Sequence, residues 1–171
     1  MGSVVTREAL SSQWAELCRD ASLRNLPYKA ELNAWGKLEL SPLTNRRGQL
    51  CGHLAFELGT QLAAGRVLTG CPVLTEIGVR VADVAWASAD FIRIHRDTSP
   101  YPSAPEICVE IVSPANTDAE LNAKTQAYLA AGAKEVWVVA AAGSIRYFDV
   151  SGEKPASGFR VAVSLPSRLG P

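Results

Sequence analysis

The sequence of 171 residues has almost no histidine, no excess of either charge and no long apolar run, and each shortage excludes something. Its two histidines, His53 and His95, lie far apart, and Cys18, Cys51, Cys71 and Cys108 form no CxxC pair. A zinc site built from clustered Cys and His is therefore not supported. His53 reads as an ordinary, partly buried histidine. Lys and Arg total 17, as do Asp and Glu. That balance excludes a strongly basic protein of the histone kind, although not local basic patches. The longest apolar run, Val136–Ala142, falls far short of the roughly 20 residues of a membrane span. The opening MGSVVTREALSSQW has no apolar core of signal-peptide length. A cytoplasmic protein is expected, with its cysteines buried and reduced. There is no GxGxxG, GxxxxGK[ST] or GxSxG motif, so dinucleotide binding, P-loop phosphate binding and a hydrolase elbow are not indicated.

What is present is ordinary globular material, 47% hydrophobic and 20% charged, enough for one core. One domain is expected over residues 1–171, with an N-terminal helical arm (1–27), a core (28–150) and a C-terminal strand and tail (151–171). Leu10, Trp14, Leu17 and Ala21 form one apolar stripe and predict a helix over 6–24. Two short strands follow around Trp35-Gly36. Leu50, Leu54, Leu58 and Leu62 step by four and predict a second helix over 46–64, capped by Gly65. Residues 67–86 read as a meander of two or three strands. Crowded prolines (Pro100, Pro102, Pro105) make 88–105 an irregular loop after one helical turn. Ile107–Ser113 is a strand, and Thr117 with Glu120 is a capping box opening a helix to Ala131. Three strands are expected to close the chain, at Glu135–Ala140, Ile145–Val150 and Phe159–Leu165. This order predicts an α/β (α+β) fold with a mixed, curved sheet flanked by helices.

The residues that do not look like packing are carboxylates. In Val79-Arg80-Val81-Ala82-Asp83-Val84-Ala85, a period of two puts Asp83 on an apolar face in mid-strand. In Ile107-Cys108-Val109-Glu110-Ile111-Val112, every neighbour of Glu110 is apolar, the mark of a strand covered on both faces. Lys124 sits at the edge of the packed stripe of the following helix. Two buried carboxylates repel one another unless a cation intervenes, and a divalent metal ion resolves that conflict.

The order of Asp83, Glu110 in VEIVSP, Lys124, and KTQAYLAAGAKEVWVV resembles the Uma family of restriction-endonuclease-like proteins, within the PD-(D/E)XK nuclease superfamily. The resemblance spans roughly Lys29 to Phe148. It implies a restriction-endonuclease-like core and a metal-dependent endonuclease that hydrolyses phosphodiester bonds, in DNA rather than RNA. By carry-over, Asp83 and Glu110 would hold Mg²⁺ or Mn²⁺ with the backbone carbonyl of Ile111. Lys124, displaced to the helix from its usual place at Val112, would serve the attacking water, and Glu31 would be an auxiliary acid. Arg46, Arg47 and Arg80 are candidate contacts to nucleic acid, and a homodimer is expected. Some positions depart from the family pattern. Ala82 stands for a proline, Ala140 for an acid, Asn33–Gly36 for an acidic turn, and no histidine opens the second helix near Arg47-Gly48. A nuclease fold retained as a catalytically inactive scaffold or binding module is the alternative reading.

Overall fold

The computed structural model describes residues 4–167. It begins with helix α1 (Arg7–Leu17), N-capped by the Thr6 hydroxyl. Then come β1 (Tyr28–Asn33), β2 (Leu38–Pro42) and α2 (Asn45–Gln61), the last capped by Thr44. Two long strands follow, β3 (Gly65–Thr75) and β4 (Gly78–Ser88), then α3 (Ala89–His95), β5 (Ile107–Ile111) and α4 (Asp118–Ala130). The chain continues through β6 (Glu135–Val139), β7 (Ile145–Asp149) and β8 (Gly152–Lys154). The strands form one mixed sheet in the order β2-β1-β4-β5-β6-β7-β8, with β3 on β4. β5 and β6 are parallel and joined through α4, as a crossover between parallel strands requires. This is the α/β fold with a mixed, helix-flanked sheet that the sequence predicts.

The expected helix stripe is present. Leu50, Leu54 and Leu58 of α2 pack on Val84, Val109, Ile111, Trp137 and Val139. Tyr128 and Leu129 of α4 and Phe91 of α3 pack with Ala85, Cys108 and Val136 in a second cluster. The segment expected as an N-terminal arm lies on the sheet instead, with Leu10 and Trp14 of α1 packed against Leu32, Val79 and Val81. Covered in this way, β4 is buried from Gly78 to Ala87, and β5 and β6 are buried throughout.

The divided edge of β4 positions the site. β3 runs along one side of β4 for nearly its whole length. On the other side, β1 pairs only at Gly78 and Val79, and β5 only from Val84 to Trp86. Between them, at Arg80–Asp83, the sheet forks. Gly70, which falls opposite Asp83 in the β3 register, adopts φ +64.

Several local expectations change. The meander is a single hairpin of two strands. The first helix stops at Leu17, and Asp20 caps a separate 3-10 turn, Ala21–Leu23. The second helix ends at Gln61, with Leu62 as its cap. Gly65 instead opens β3, where a Cβ would run into the Trp86 ring and the Ala87 carbonyl. The loop after β4 holds a two-turn helix because the Ser88 hydroxyl accepts from Phe91 N–H and caps it. Residues 159–165 are not a strand. The Gly152 turn folds β8 onto β7, and Gln61 of α2 satisfies both the N–H and the carbonyl of Ala162 with its side-chain amide. Residues 168–171 of the expected tail lie outside the described residues. The cysteines divide: Cys71 and Cys108 are buried, Cys51 is half-buried and Cys18 is exposed, all as free thiols. Among the described residues, no helix is long and apolar enough to cross a membrane.

Gly78 holds the start of the fork. Its φ is +118, and a Cβ there would collide with the Leu32 carbonyl and the Asn33 backbone of β1. Gly78→Ala is expected to destabilise the fold by about 2–3 kcal/mol, from backbone strain and displacement of β1. Chemical denaturation checks this. A loss under about 0.5 kcal/mol, the range of an ordinary surface change, would show that β1 is free to move.

Candidate active site

Three carboxylates converge in the fork. Glu31 comes from β1, Asp83 from β4 and Glu110 from β5, and all three are buried. The backbone exposed by the fork is caught by their oxygens. Val81 N–H donates to Glu31 Oε1 at 2.8 Å, and Ile111 N–H donates to Asp83 Oδ2 at 2.7 Å. A buried N–H without a ladder partner needs an acceptor, so the gap in the sheet and the acids inside it explain one another.

The charge they need to balance them comes from the protein. Lys29, two residues before Glu31 on the same strand, places its Nζ 3.1 Å from Glu110 Oε2, 3.2 Å from Asp83 Oδ1 and 3.7 Å from Glu31 Oε1. Arg47, in the first turn of α2, donates to Asp83 Oδ1 through Nε at 3.0 Å and through Nη2 at 2.5 Å. Lys124 of α4 reaches Glu31 Oε2 at 2.7 Å and Glu110 Oε2 at 3.5 Å. Tyr128, one turn further along α4, donates to Glu110 Oε1 at 2.8 Å. Arg80 meets Glu31 at 3.5 Å and Glu39 at 2.5 Å. Four cations (Lys29, Arg47, Arg80, Lys124) thus interleave with four carboxylates (Glu31, Glu39, Asp83, Glu110).

The protonation states follow. Burial alone would raise the Glu110 carboxyl, but Lys29, Lys124 and the Tyr128 hydroxyl outweigh it and hold its pKa at about 2. Asp83 goes the other way. Its burial and the neighbouring Glu110 charge push it up against the pull of Lys29, Arg47 and the Ile111 N–H. Burial works to lower the Lys29 ammonium, yet Glu110, Asp83 and Glu31 together raise it, so it stays charged.

The structure therefore brings Glu31, Asp83, Glu110 and Lys124 together, as predicted from the sequence. Ile111 is present through its N–H bond to Asp83. Lys124 is free to point inward because its helical neighbour Glu120 is engaged elsewhere, its carboxylate accepting from Thr117 N–H in the capping box. The arginines are placed differently from expectation. Arg47 and Arg80 are buried in ion pairs. Arg46 bonds to the carbonyls of Ala141 and Pro166. All three are committed inside the fold, whereas Arg66, Arg93 and Arg96 are exposed. Lys29 and Arg47 supply cations that intervene between the paired acids, so a divalent ion is not the only counter-charge available to them. Lys29 escapes sequence reasoning: it shares a strand face with Glu31, one step of the two-residue period away, but nothing local marks the position as interior. Tyr128, four residues after Lys124, was read only as packing.

Two clefts that share no lining residue open onto this cluster. One, of about 470 Å³, is walled by Tyr28, Leu43, Thr69 and Gly70 and reaches Lys29, Arg47 and Asp83. The other, of about 360 Å³, is lined by Glu31, Glu39, Arg80, Asn116, Glu120 and Lys124. Among the described residues, no group of three or more His, Cys, Asp or Glu is spaced to hold a metal ion as it stands. The donor chemistry is nonetheless suitable. Hard carboxylate oxygens from three strands gather around one point, and that point carries positive charge.

Asp83→Ala leaves Lys29 and Arg47 facing each other without their shared carboxylate. It is expected to cost about 3–5 kcal/mol, the usual result of breaking a buried ion pair. Urea denaturation measures it. A neutral or stabilising effect would mean that the network does not hold Asp83 as described.

The family model Uma2, described as "Putative restriction endonuclease", matches residues 13–149. Among solved structures, the crystal structure of a protein from Anabaena variabilis, titled a putative nuclease belonging to DUF820, superposes with a TM-score of 0.59 at 15% identity. The match covers 80% of this chain and 86% of that one. No curated protein matches.

Proposed function

Because the chain belongs to the Uma2 family, we propose that it is a metal-dependent endonuclease that hydrolyses phosphodiester bonds in DNA. The observation that carries this reading is the convergence of Asp83, Glu110 and Lys124 in one buried cluster beside open clefts. The word "restriction" in the family's description favours DNA over RNA. Asp83 and Glu110 are the residues that would hold Mg²⁺ or Mn²⁺. The bound ion would supply Lewis-acid polarisation of a phosphoryl oxygen and a more acidic water.

The protein's own groups supply the rest. Ile111 N–H and Arg47 fix the Asp83 carboxylate from two directions, and the Tyr128 hydroxyl fixes that of Glu110. Such fixed orientation is what keeps a reacting geometry within tenths of an ångström. Lys124 lines the cleft of about 360 Å³. It orients the attacking water and offsets negative charge gathering on phosphorus. Glu31 holds Lys124 in place at 2.7 Å. Plasmid nicking in Mg²⁺ or Mn²⁺ tests this. Asp83→Asn and Glu110→Gln are expected to lose at least about 10³-fold of the activity and Lys124→Ala about 10²-fold. Cleavage that survives all three changes would place the chemistry elsewhere, and cleavage of RNA alone would reassign the substrate.

One observation favours a second reading. Every carboxylate oxygen in the fork already has a partner from the protein, so the site is stable without any ligand, as suits a scaffold. Folded protein that cleaves neither DNA nor RNA would support it.

The protein is further proposed to work as a homodimer. The two C-terminal segments expected from sequence as strands, 145–150 and 159–165, are not free to form its interface, since β7 lies between β6 and β8 and residues 159–165 pack on the core. β2 is one edge of the sheet, and there Leu38 and Leu40 are exposed near Tyr28 and Leu43. Gel filtration is expected to show about twice the monomer mass, and Leu40→Lys is expected to return it to the monomer. A monomeric wild type rejects the dimer.

A further inference from the structure

The Lys29 ammonium sits where the three carboxylates point. Its Nζ touches one acid from each of the three strands that bound the fork, at 3.1 to 3.7 Å. Each of those acids also has anchors that do not depend on Lys29: Val81 N–H and Lys124 for Glu31, Arg47 and Ile111 N–H for Asp83, and Tyr128 for Glu110. The carboxylates would therefore keep their orientation if the ammonium moved. There is room for it to move, because Lys29 itself lines the cleft of about 470 Å³, between Tyr28, Thr44 and Gly70. A lysine suits such a part. Its charge is a compact point on a flexible four-carbon stem, without the fixed two-pronged geometry that commits Arg47 to Asp83.

We propose that Lys29 is a tethered counter-ion. It occupies the cation position of the site, and a divalent metal ion binds by displacing its ammonium into the adjoining cleft. This rests on the reading of Asp83 and Glu110 as the metal-holding pair. It explains why the acids, as they stand, are spaced around an ammonium rather than a metal ion. It also gives Lys29 a regulatory effect. The metal must compete with an internal cation held at high effective concentration, so the site fills only above a threshold of free metal. The metal-free protein meanwhile keeps its carboxylates oriented.

Two measurements test the proposal, both using Mn²⁺ as the probe. In the first, isothermal titration compares wild type with Lys29→Met, which removes the charge and keeps the apolar stem. The variant is expected to bind Mn²⁺ at least about 10-fold more tightly. Equal or weaker binding overturns the proposal. The second uses wild type alone and so survives a variant that fails to fold. Reductive methylation of lysines is followed by mass spectrometry, with the exposed Lys37 as internal reference. Lys29 is expected to react slowly without metal and several-fold faster with saturating Mn²⁺. Unchanged or slower labelling while Mn²⁺ binds overturns the proposal. The two readings fail separately. If wild type binds Mn²⁺ and Asp83→Asn abolishes the binding, the metal pair stands even where the Lys29 results are negative. If neither wild type nor Lys29→Met binds Mn²⁺, both are wrong.

Discussion

The structure depends on one electrostatic constraint, which is that three buried carboxylates from three strands cannot share one fork unless cations share it with them. Moving a charged group out of water costs several kcal/mol unless it is paired and hydrogen-bonded. Here the compensation is distributed: Lys29 in the middle, Arg47 from α2, Lys124 and Tyr128 from α4, and two backbone amides. Each helix beside the fork contributes at least one of these groups, Arg47 from α2 and both Lys124 and Tyr128 from α4. The packing of α2 and α4 on the sheet and the charge balance at its centre are therefore a single problem with a single solution.

The fork has a mechanical origin as well. β4 is long, straight in register with β3, and buried from Gly78 to Ala87. β1 and β5 meet it at opposite ends of its other edge and leave a gap between them. In an ordinary sheet that gap would leave unpaired amides. In this one, the Val81 and Ile111 amides are acceptor-matched by Glu31 and Asp83. An acid is the natural filler, since a carboxylate accepts several bonds at once.

Much of this was legible in the sequence. The helical stripes of α2 and α4, the capping box, the hairpin around Trp35 and the acids interrupting apolar strands all follow from period and burial. Asp83 and Glu110 could be named because a carboxylate among valines and isoleucines has few bland explanations, Lys124 because it edges a packed helical stripe, and Glu31 only through the resemblance to the family. Lys29 could not be found in the same way. In Tyr28-Lys29-Ala30-Glu31 it reads as an ordinary polar position of a half-exposed strand, and only the approach of β4 and β5 makes it interior. Arg47 and Arg80 were misplaced for the same reason. Sequence shows that a side chain is cationic but not which long-range partner absorbs the charge. The C-terminal segment 159–165 has strand-like alternation, yet a glutamine from α2 takes over its backbone bonds, and no local pattern announces such a competitor.

The capping box of α4 has a consequence that reaches beyond the helix it starts. Glu120 and Lys124 stand one turn apart, a spacing at which opposite charges ordinarily pair along a helix surface. With its carboxylate committed to the Thr117 amide, Glu120 leaves Lys124 to Glu31. The backbone amide of Thr117, at the solvent-exposed N-cap of α4, therefore helps to select the partner of a half-buried cation. A proline there, which has no N–H to donate, would offer Lys124 a choice between two carboxylates. A surface amide thus acts as an electrostatic switchman for the interior.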